Sequence, residues 1–285
     1  MRPVRLGVYE KALPTALAWP ERLALARRLG FDYLELSVDE SEGRLARLDA
    51  GCAERRAIRD AVAATGVPVQ SLCLSAHRRY ALGSADPATR TRAHEVFLRA
   101  VELAYELGVR TVQLAGYYVY YEDETPAAAE RYAEGVARGA EAAAAAGVML
   151  GIENMDTVGL ASLAEGVALL DRIGSPWLQL YPDLGNLIER RRDPLRELAA
   201  ARGRMVALHL KDARPGEPRR VPFGEGGVPF VAALERLRAD GYAGPMLVEM
   251  WNDDAPDSVA RLAAARGWVA ARLREAGCVV PEVTA

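Results

Sequence analysis

The chain has 285 residues, of which 51% are hydrophobic and 26% charged, the balance of a folded globular protein and not of a disordered one. Its 36 Lys+Arg against 39 Asp+Glu leave a net charge of −3, so it carries no electrostatic footprint for nucleic acid or an anionic membrane surface. The longest uncharged run, Ala61 to Ala76, is 16 residues and is broken by Gly66, Pro68 and Gln70, whereas a membrane span needs about 20 mostly apolar residues.

Short β-rich runs alternate with longer helical ones along the whole chain. The predicted strand–helix pairs are Val4–Tyr9 with Pro20–Leu29, Tyr33–Ser37 with Ala53–Thr65, Pro68–Leu74 with Pro87–Leu107, and Thr111–Ala115 with Pro126–Ala146. They continue as Val148–Glu153 with Leu163–Ile173, Trp177–Tyr181 with Pro194–Arg202, Met205–Leu210 with Pro229–Asp240, and Met246–Met250 with Asp257–Ala276. Several helices open at Pro and several close at Gly (Gly30, Gly66, Gly108, Gly147), the residues favoured at those two ends. Several strands are nearly continuous apolar runs, as parallel strands buried on both faces are. Eight such units predict an α/β fold, a (β/α)8 TIM barrel forming one domain over residues 1–285. The rival, an open doubly wound sheet, lacks its G-x-G-x-x-G at any strand-to-helix turn. The start of the chain, Met1 to Gly7, has charge but no apolar stretch of secretion-signal length. Cys52, Cys73 and Cys278 are odd in number and show no paired spacing, so a reducing compartment and a cytoplasmic location are expected.

In a TIM barrel the chemistry sits at the C-terminal ends of the strands. The last four predicted strands each bring one metal-capable side chain there: Glu153, Asp183, His209 and Glu249. They are separated by 30, 26 and 40 residues, each roughly one βα repeat, so their heads converge. One acid at a strand end is ordinarily solvated, and one histidine is ordinarily structural. Three carboxylates gathered without a cation would repel and raise one another's pKa values. The set therefore predicts one divalent ion, Mn²⁺, Mg²⁺, Co²⁺ or Zn²⁺. A 2-ketose bound through O2 and O3 would have its C2 carbonyl polarised and its C3 proton made acidic. Two carboxylates on opposite faces of C3, Glu153 and Glu249, would then exchange that proton through a metal-stabilised enediolate and invert the centre. Asp183 and His209 would serve as ligands only. His94 falls within a predicted helix and reads as a surface residue.

The segments Gly7-Val8-Tyr9-Glu10-Lys11-Ala12-Leu13-Pro14, Cys73-Leu74-Ser75-Ala76-His77-Arg78-Arg79, Gln179-Leu180-Tyr181-Pro182-Asp183-Leu184-Gly185-Asn186, Pro222-Phe223-Gly224-Glu225-Gly226 and Leu247-Val248-Glu249-Met250-Trp251 resemble the L-ribulose-5-phosphate 3-epimerase family, also called L-xylulose-5-phosphate 3-epimerases. The resemblance runs from about Leu6 to Gly277. It implies a xylose-isomerase-like TIM barrel, a divalent-metal isomerase of L-xylulose 5-phosphate and L-ribulose 5-phosphate, and a place in ascorbate or related pentose breakdown. The family's metal residues fall on Glu153, Asp183, His209 and Glu249. Wider ketose 3-epimerases often carry His three residues beyond the metal Asp, where this chain has Asn186, which can hydrogen-bond a sugar oxygen but is no imidazole acid. By analogy with related barrels a homodimer is expected.

A sugar phosphate needs cations or N–H donors one sugar length from the metal. Arg78, Arg79, Lys211, Arg214, Arg219 and Arg220 follow strand ends, as does His77. Lys211 lies two residues past His209 and so on the same side of its strand. The glycine-rich run 224–227 is a further candidate for close backbone approach. The expected substrate contacts are His77, Arg78, Asn186, Lys211 and Arg214. Competing readings are a free-sugar ketose 3-epimerase or aldose–ketose isomerase on the same barrel, and a sugar-phosphate-binding barrel without catalysis. An endonuclease IV-type phosphodiesterase would need many more histidines than the 3 present.

Overall fold

The computed structural model describes residues 3–49 and 51–281. In chain order the elements are β1 (Leu6–Tyr9), α1 (Trp19–Arg28), β2 (Tyr33–Val38), α2 (Glu42–Leu45), α3 (Cys52–Thr65), β3 (Val69–Leu74), α4 (Pro87–Leu107), β4 (Thr111–Ala115), α5 (Pro126–Ala146) and β5 (Met149–Glu153). They continue as α6 (Leu163–Ile173), β6 (Leu178–Leu180), α7 (Leu184–Glu189), α8 (Pro194–Ala200), β7 (Leu208–Leu210), α9 (Phe230–Ala239), β8 (Met246–Val248) and α10 (Ser258–Glu275). All eight predicted strands and eight predicted helices are present. Two short helices, α2 and α7, are additional.

The eight strands are parallel, ordered β6-β5-β4-β3-β2-β1-β8-β7. Parallel bridges Leu180↔Met205 and Asp183↔His209 join the two ends of that row and close the barrel. Closure rests on backbone bonds from Leu180 N to Arg204 O, Val206 N to Leu180 O and His209 N to Pro182 O. The last of these ties the β6 end to β7 beside two of the predicted ligands.

Alternation along each strand divides the side chains between two environments. Leu34, Leu36, Leu72, Leu74, Val112, Leu114, Leu150 and Ile152 join the helices in one large apolar core. The alternate positions point into the barrel, and there the lining turns polar toward the C-terminal rim: Glu35, Ser71, Gln113, Glu153 and His209 are all buried.

Helix ends follow local chemistry. Asp86, Thr125 and Ser162 accept backbone N–H groups at the starts of α4, α5 and α6, and Gly108, Gly147 and Gly174 close them in the left-handed conformation. Gly139 lets α5 lie against α4, since a Cβ there would meet the Phe97 ring at 2.1 Å. Gly139→Ala is therefore expected to destabilise the fold by about 1–3 kcal/mol, the usual cost of overpacking. Thermal denaturation of parent and variant checks this, and an unchanged midpoint contradicts it.

Candidate metal centre and active site

Glu153 ends β5, Asp183 follows β6, His209 is the middle residue of β7 and Glu249 follows β8. All four are buried, and one ligand atom from each lies within 4.8 Å of the others. Each is aimed by local structure. Asp183 is the N-cap of α7: its Oδ1 accepts the Asn186 N–H at 2.8 Å, which turns Oδ2 toward the cluster. Asn154 fixes the same segment from the next strand, donating from Nδ2 to Asp183 O (3.1 Å) and accepting Asp183 N–H at Oδ1 (2.9 Å). Gln113 on β4 donates Nε2–H to Glu153 Oε2 at 2.5 Å.

His209 sits between two carboxylates. Nδ1 is 2.9 Å from Glu153 Oε1, and Nε2 is 2.9 Å from Glu35 Oε1. Nδ1 also faces Asp183 Oδ2 at 3.9 Å and Glu249 Oε2 at 3.8 Å. Burial opposes a charge on this ring, but Glu35, Glu153 and Glu249 outweigh it and raise its pKa well above the ordinary value. Burial also lifts Glu153, against His209, and lifts Asp183 well above its ordinary range, against Lys211. At Glu249 burial pushes the same way but is overcome by Lys211 and His209, which bring its pKa down to about 2. Two carboxyl groups of one site pushed in opposite directions are what an acid/base pair requires.

The donor set fits a divalent ion. Asp183 Oδ2 and Glu249 Oε2 are buried and receive no hydrogen bond. The Lys211 ammonium lies beside them, 3.1 and 3.4 Å away, as an ion-pair neighbour. One ammonium is insufficient for three converging carboxylates, and a dication bound by oxygens and one imidazole nitrogen matches both the charge and the ligand chemistry. Glu153, Asp183, His209 and Glu249 would hold it.

The other predicted substrate residues divide. Asn186 is at the floor, with Oδ1 accepting from Lys211 Nζ at 2.6 Å and Nδ2 donating to Asn154 O at 2.8 Å. Lys211 is thus committed to the cluster, at the reacting end of the pocket and not one sugar length away. Arg78 stays at the mouth, its guanidinium over the Tyr117 and Tyr120 rings at 5.3 and 5.4 Å. Tyr117 donates to Asp156 Oδ1 at 3.1 Å, and Arg219 reaches Asp156 Oδ2 at 3.0 Å. Tyr9 and Trp251 meet edge to face at 6.3 Å and wall another side, where a cleft runs outward from Lys211 and Glu249 past Trp251.

Three expectations are corrected. His77 is not a substrate contact: its ring is buried behind the wall against Phe97, and Nε2 bonds Ala93 O on α4 at 3.1 Å. Arg214 is partly exposed and its guanidinium is taken up by Glu217 and Glu225 on its own loop, which leaves it no free donor pair for a phosphate. The glycine-rich run does not offer free N–H groups, because Gly224, Gly226 and Val228 donate theirs to the Asp212 carboxylate at 2.9, 3.0 and 3.2 Å. The structure adds Glu35, Gln113, Asp156 and Tyr181 to the site, none of which the sequence singles out as a site residue.

His77 gives a pH prediction. Burial, only partly offset by the bond to Ala93 O, lowers its pKa from 6.5 to about 4. Between those values the unfolded chain binds more protons than the folded one, so stability falls as pH drops from 6.5 toward 4. His77→Leu is expected to flatten that slope in urea denaturation at successive pH values. Parallel slopes for parent and variant contradict it.

The xylose isomerase-like TIM barrel family model matches residues 23–272. SgbU of Escherichia coli K12 is 47% identical over 285 residues, covering 98% of this chain and all of that protein. The L-ribulose-5-phosphate 3-epimerase UlaE of Escherichia coli SMS-3-5 is 45% identical over 278 residues, covering 98% of each. Among solved structures, D-psicose 3-epimerase of Clostridium cellulolyticum H10 superposes with a TM-score of 0.81 at 18% identity, over 95% of this chain and 99% of that one, a likeness of fold. The chain belongs to the xylose-isomerase-like TIM barrels and, within them, to the family of the L-ribulose-5-phosphate 3-epimerases.

Proposed function

We propose that this protein is a divalent-metal-dependent isomerase that inverts C3 of a ketopentose phosphate, interconverting L-xylulose 5-phosphate and L-ribulose 5-phosphate. The observation that carries the reading is the meeting of four ligand atoms within 4.8 Å at the barrel mouth, in a chain 45% identical to an L-ribulose-5-phosphate 3-epimerase along nearly its whole length. A bound dication (Mn²⁺, Mg²⁺, Co²⁺ or Zn²⁺) would polarise the C2 carbonyl and acidify the C3 proton. Glu153 and Glu249 flank C3: one removes its proton from one face, and the other returns a proton to the opposite face. Gln113 keeps the Glu153 carboxyl from rotating, which preserves its aim through the cycle. Lys211 and Asn186 contact sugar oxygens near the reacting carbons, and Arg78 and Arg219 attract the phosphate at the mouth.

The same proposal includes a cytoplasmic location, in keeping with three free cysteines, and a homodimer, which light scattering on the purified protein tests. No helix among the described residues is long and apolar enough to cross a membrane. The decisive assay incubates metal-loaded protein with L-ribulose 5-phosphate in D₂O and follows C3 by NMR. Deuterium at C3 together with the L-xylulose epimer is expected. Binding without exchange favours a non-catalytic barrel, and equal turnover of free L-xylulose removes the phosphate from the proposal.

A further inference from the structure

Among the described residues, Glu35 is the one carboxylate hydrogen-bonded to this constellation that lies outside the proposed ligand set. It sits inside the barrel on β2, fully buried, on a strand that supplies none of the four ligands. A buried carboxylate persists only where donors satisfy it. Here there are three: Ser71 donates to Oε2 at 2.7 Å, Tyr181 donates to Oε2 at 2.8 Å, and His209 Nε2 meets Oε1 at 2.9 Å. The first two bonds come from β3 and from the β6 end and leave Oε1 for the imidazole. The Tyr181 ring also packs on the imidazole, centroids 4.5 Å apart, so the same side chain anchors Glu35 and limits tilt of His209.

A carboxylate only accepts, so Nε2 facing Glu35 and Nδ1 facing Glu153 each carry a hydrogen here, and an ion bound on the Glu153 side would displace the Nδ1 proton while the Nε2 proton stays on Glu35. The opposite nitrogen, Nδ1, is the one that faces Glu153, Asp183 and Glu249. We propose that Glu35 is the positioning residue of the metal centre: it holds His209 as the Nε2–H tautomer, so that the Nδ1 lone pair is aimed at the ion. Without that acceptor, a neutral imidazole is free to protonate Nδ1 and present no lone pair to the cluster. The inference rests on the metal reading of the site and not on the identity of the sugar. Outer partners of this kind cost about 10–100-fold in metal affinity when removed.

The test compares parent and Glu35→Leu, which removes the acceptor, by titrating each metal-free protein with Co²⁺ and reading visible absorption. The expected result is a roughly 10–100-fold weaker Co²⁺ affinity in the variant and a changed ligand-field spectrum. A purely structural role would lower the melting temperature and leave the Co²⁺ affinity and spectrum of the folded protein unchanged, which overturns the proposal. A parent that takes up no Co²⁺ fails the metal reading and this inference together; a parent and variant that bind equally fail this inference alone. Should Glu35→Leu not fold, ¹⁵N NMR of the Zn²⁺-loaded parent decides, because the chain has only 3 histidines to assign. A proton on Nε2 of His209 and none on Nδ1 is expected, and a proton on Nδ1 overturns the proposal.

Discussion

Glu249→Gln is expected to abolish deuterium exchange at C3 and to lower kcat by about 10²–10⁴-fold, the range for loss of a positioned acid or base. Gln keeps the shape and one oxygen, so the barrel and part of the metal affinity survive, but an amide neither takes nor gives the proton. The expectation has a local cause. Glu249 Oε2 is buried without a donor, and Lys211 and His209 overcome that burial to hold its carboxyl ionised down to about pH 2. Its charge is therefore in place at neutral pH, ready to accept a proton. Exchange measured by NMR alongside epimer formation checks it. Full activity in the variant would remove the two-glutamate mechanism.

His209→Ala is expected to have the largest effect on the metal. The imidazole is the only nitrogen ligand among the four proposed, and its loss also strands Glu35 and Glu153, which both hydrogen-bond it. Removing a ligand should cost more than the roughly 10–100-fold attached to an outer partner. Activity should return in part at high metal concentration, because Glu153, Asp183 and Glu249 remain. Calorimetric titration with Mn²⁺ gives the affinity, and activity against added Mn²⁺ gives the rescue. An affinity equal to the parent's would place the ion elsewhere.

Much of this is legible in the sequence, for physical reasons. Long amphipathic helices with Pro at the start and Gly at the end declare themselves, and α4, α5 and α6 coincide with their predicted ranges. The four clustered ligands are readable because a TIM barrel sends every strand end to one rim. Short elements are not. The helix α7 has six residues, too few for a periodic signal, although Asp183 is a good N-cap residue. In sequence the same aspartate reads as a ligand only, whereas it uses one oxygen for the helix and the other for the cluster. The glycine-rich run resembles a phosphate cradle because the sequence does not reveal where Asp212 points. His77 resembles a rim residue because it follows a strand, but the turn at 76–78 swings it against α4.

Glu35 and Gln113 escape a sequence reading for a common reason. Both sit in mid-strand among apolar neighbours, where an isolated polar residue carries no periodic signature. Their meaning depends on which strands stand beside them. Glu35 and His209 are 174 residues apart in sequence and 2.9 Å apart in space. Only barrel closure brings them together.

The most direct measurement is a crystal of the protein grown with Mn²⁺ and examined by anomalous diffraction. One peak is expected, about 2.0–2.3 Å from an oxygen of Glu153, Asp183 and Glu249 and from Nδ1 of His209. A fully loaded crystal with no peak among these four residues, or with its peak held by other side chains, would contradict the account.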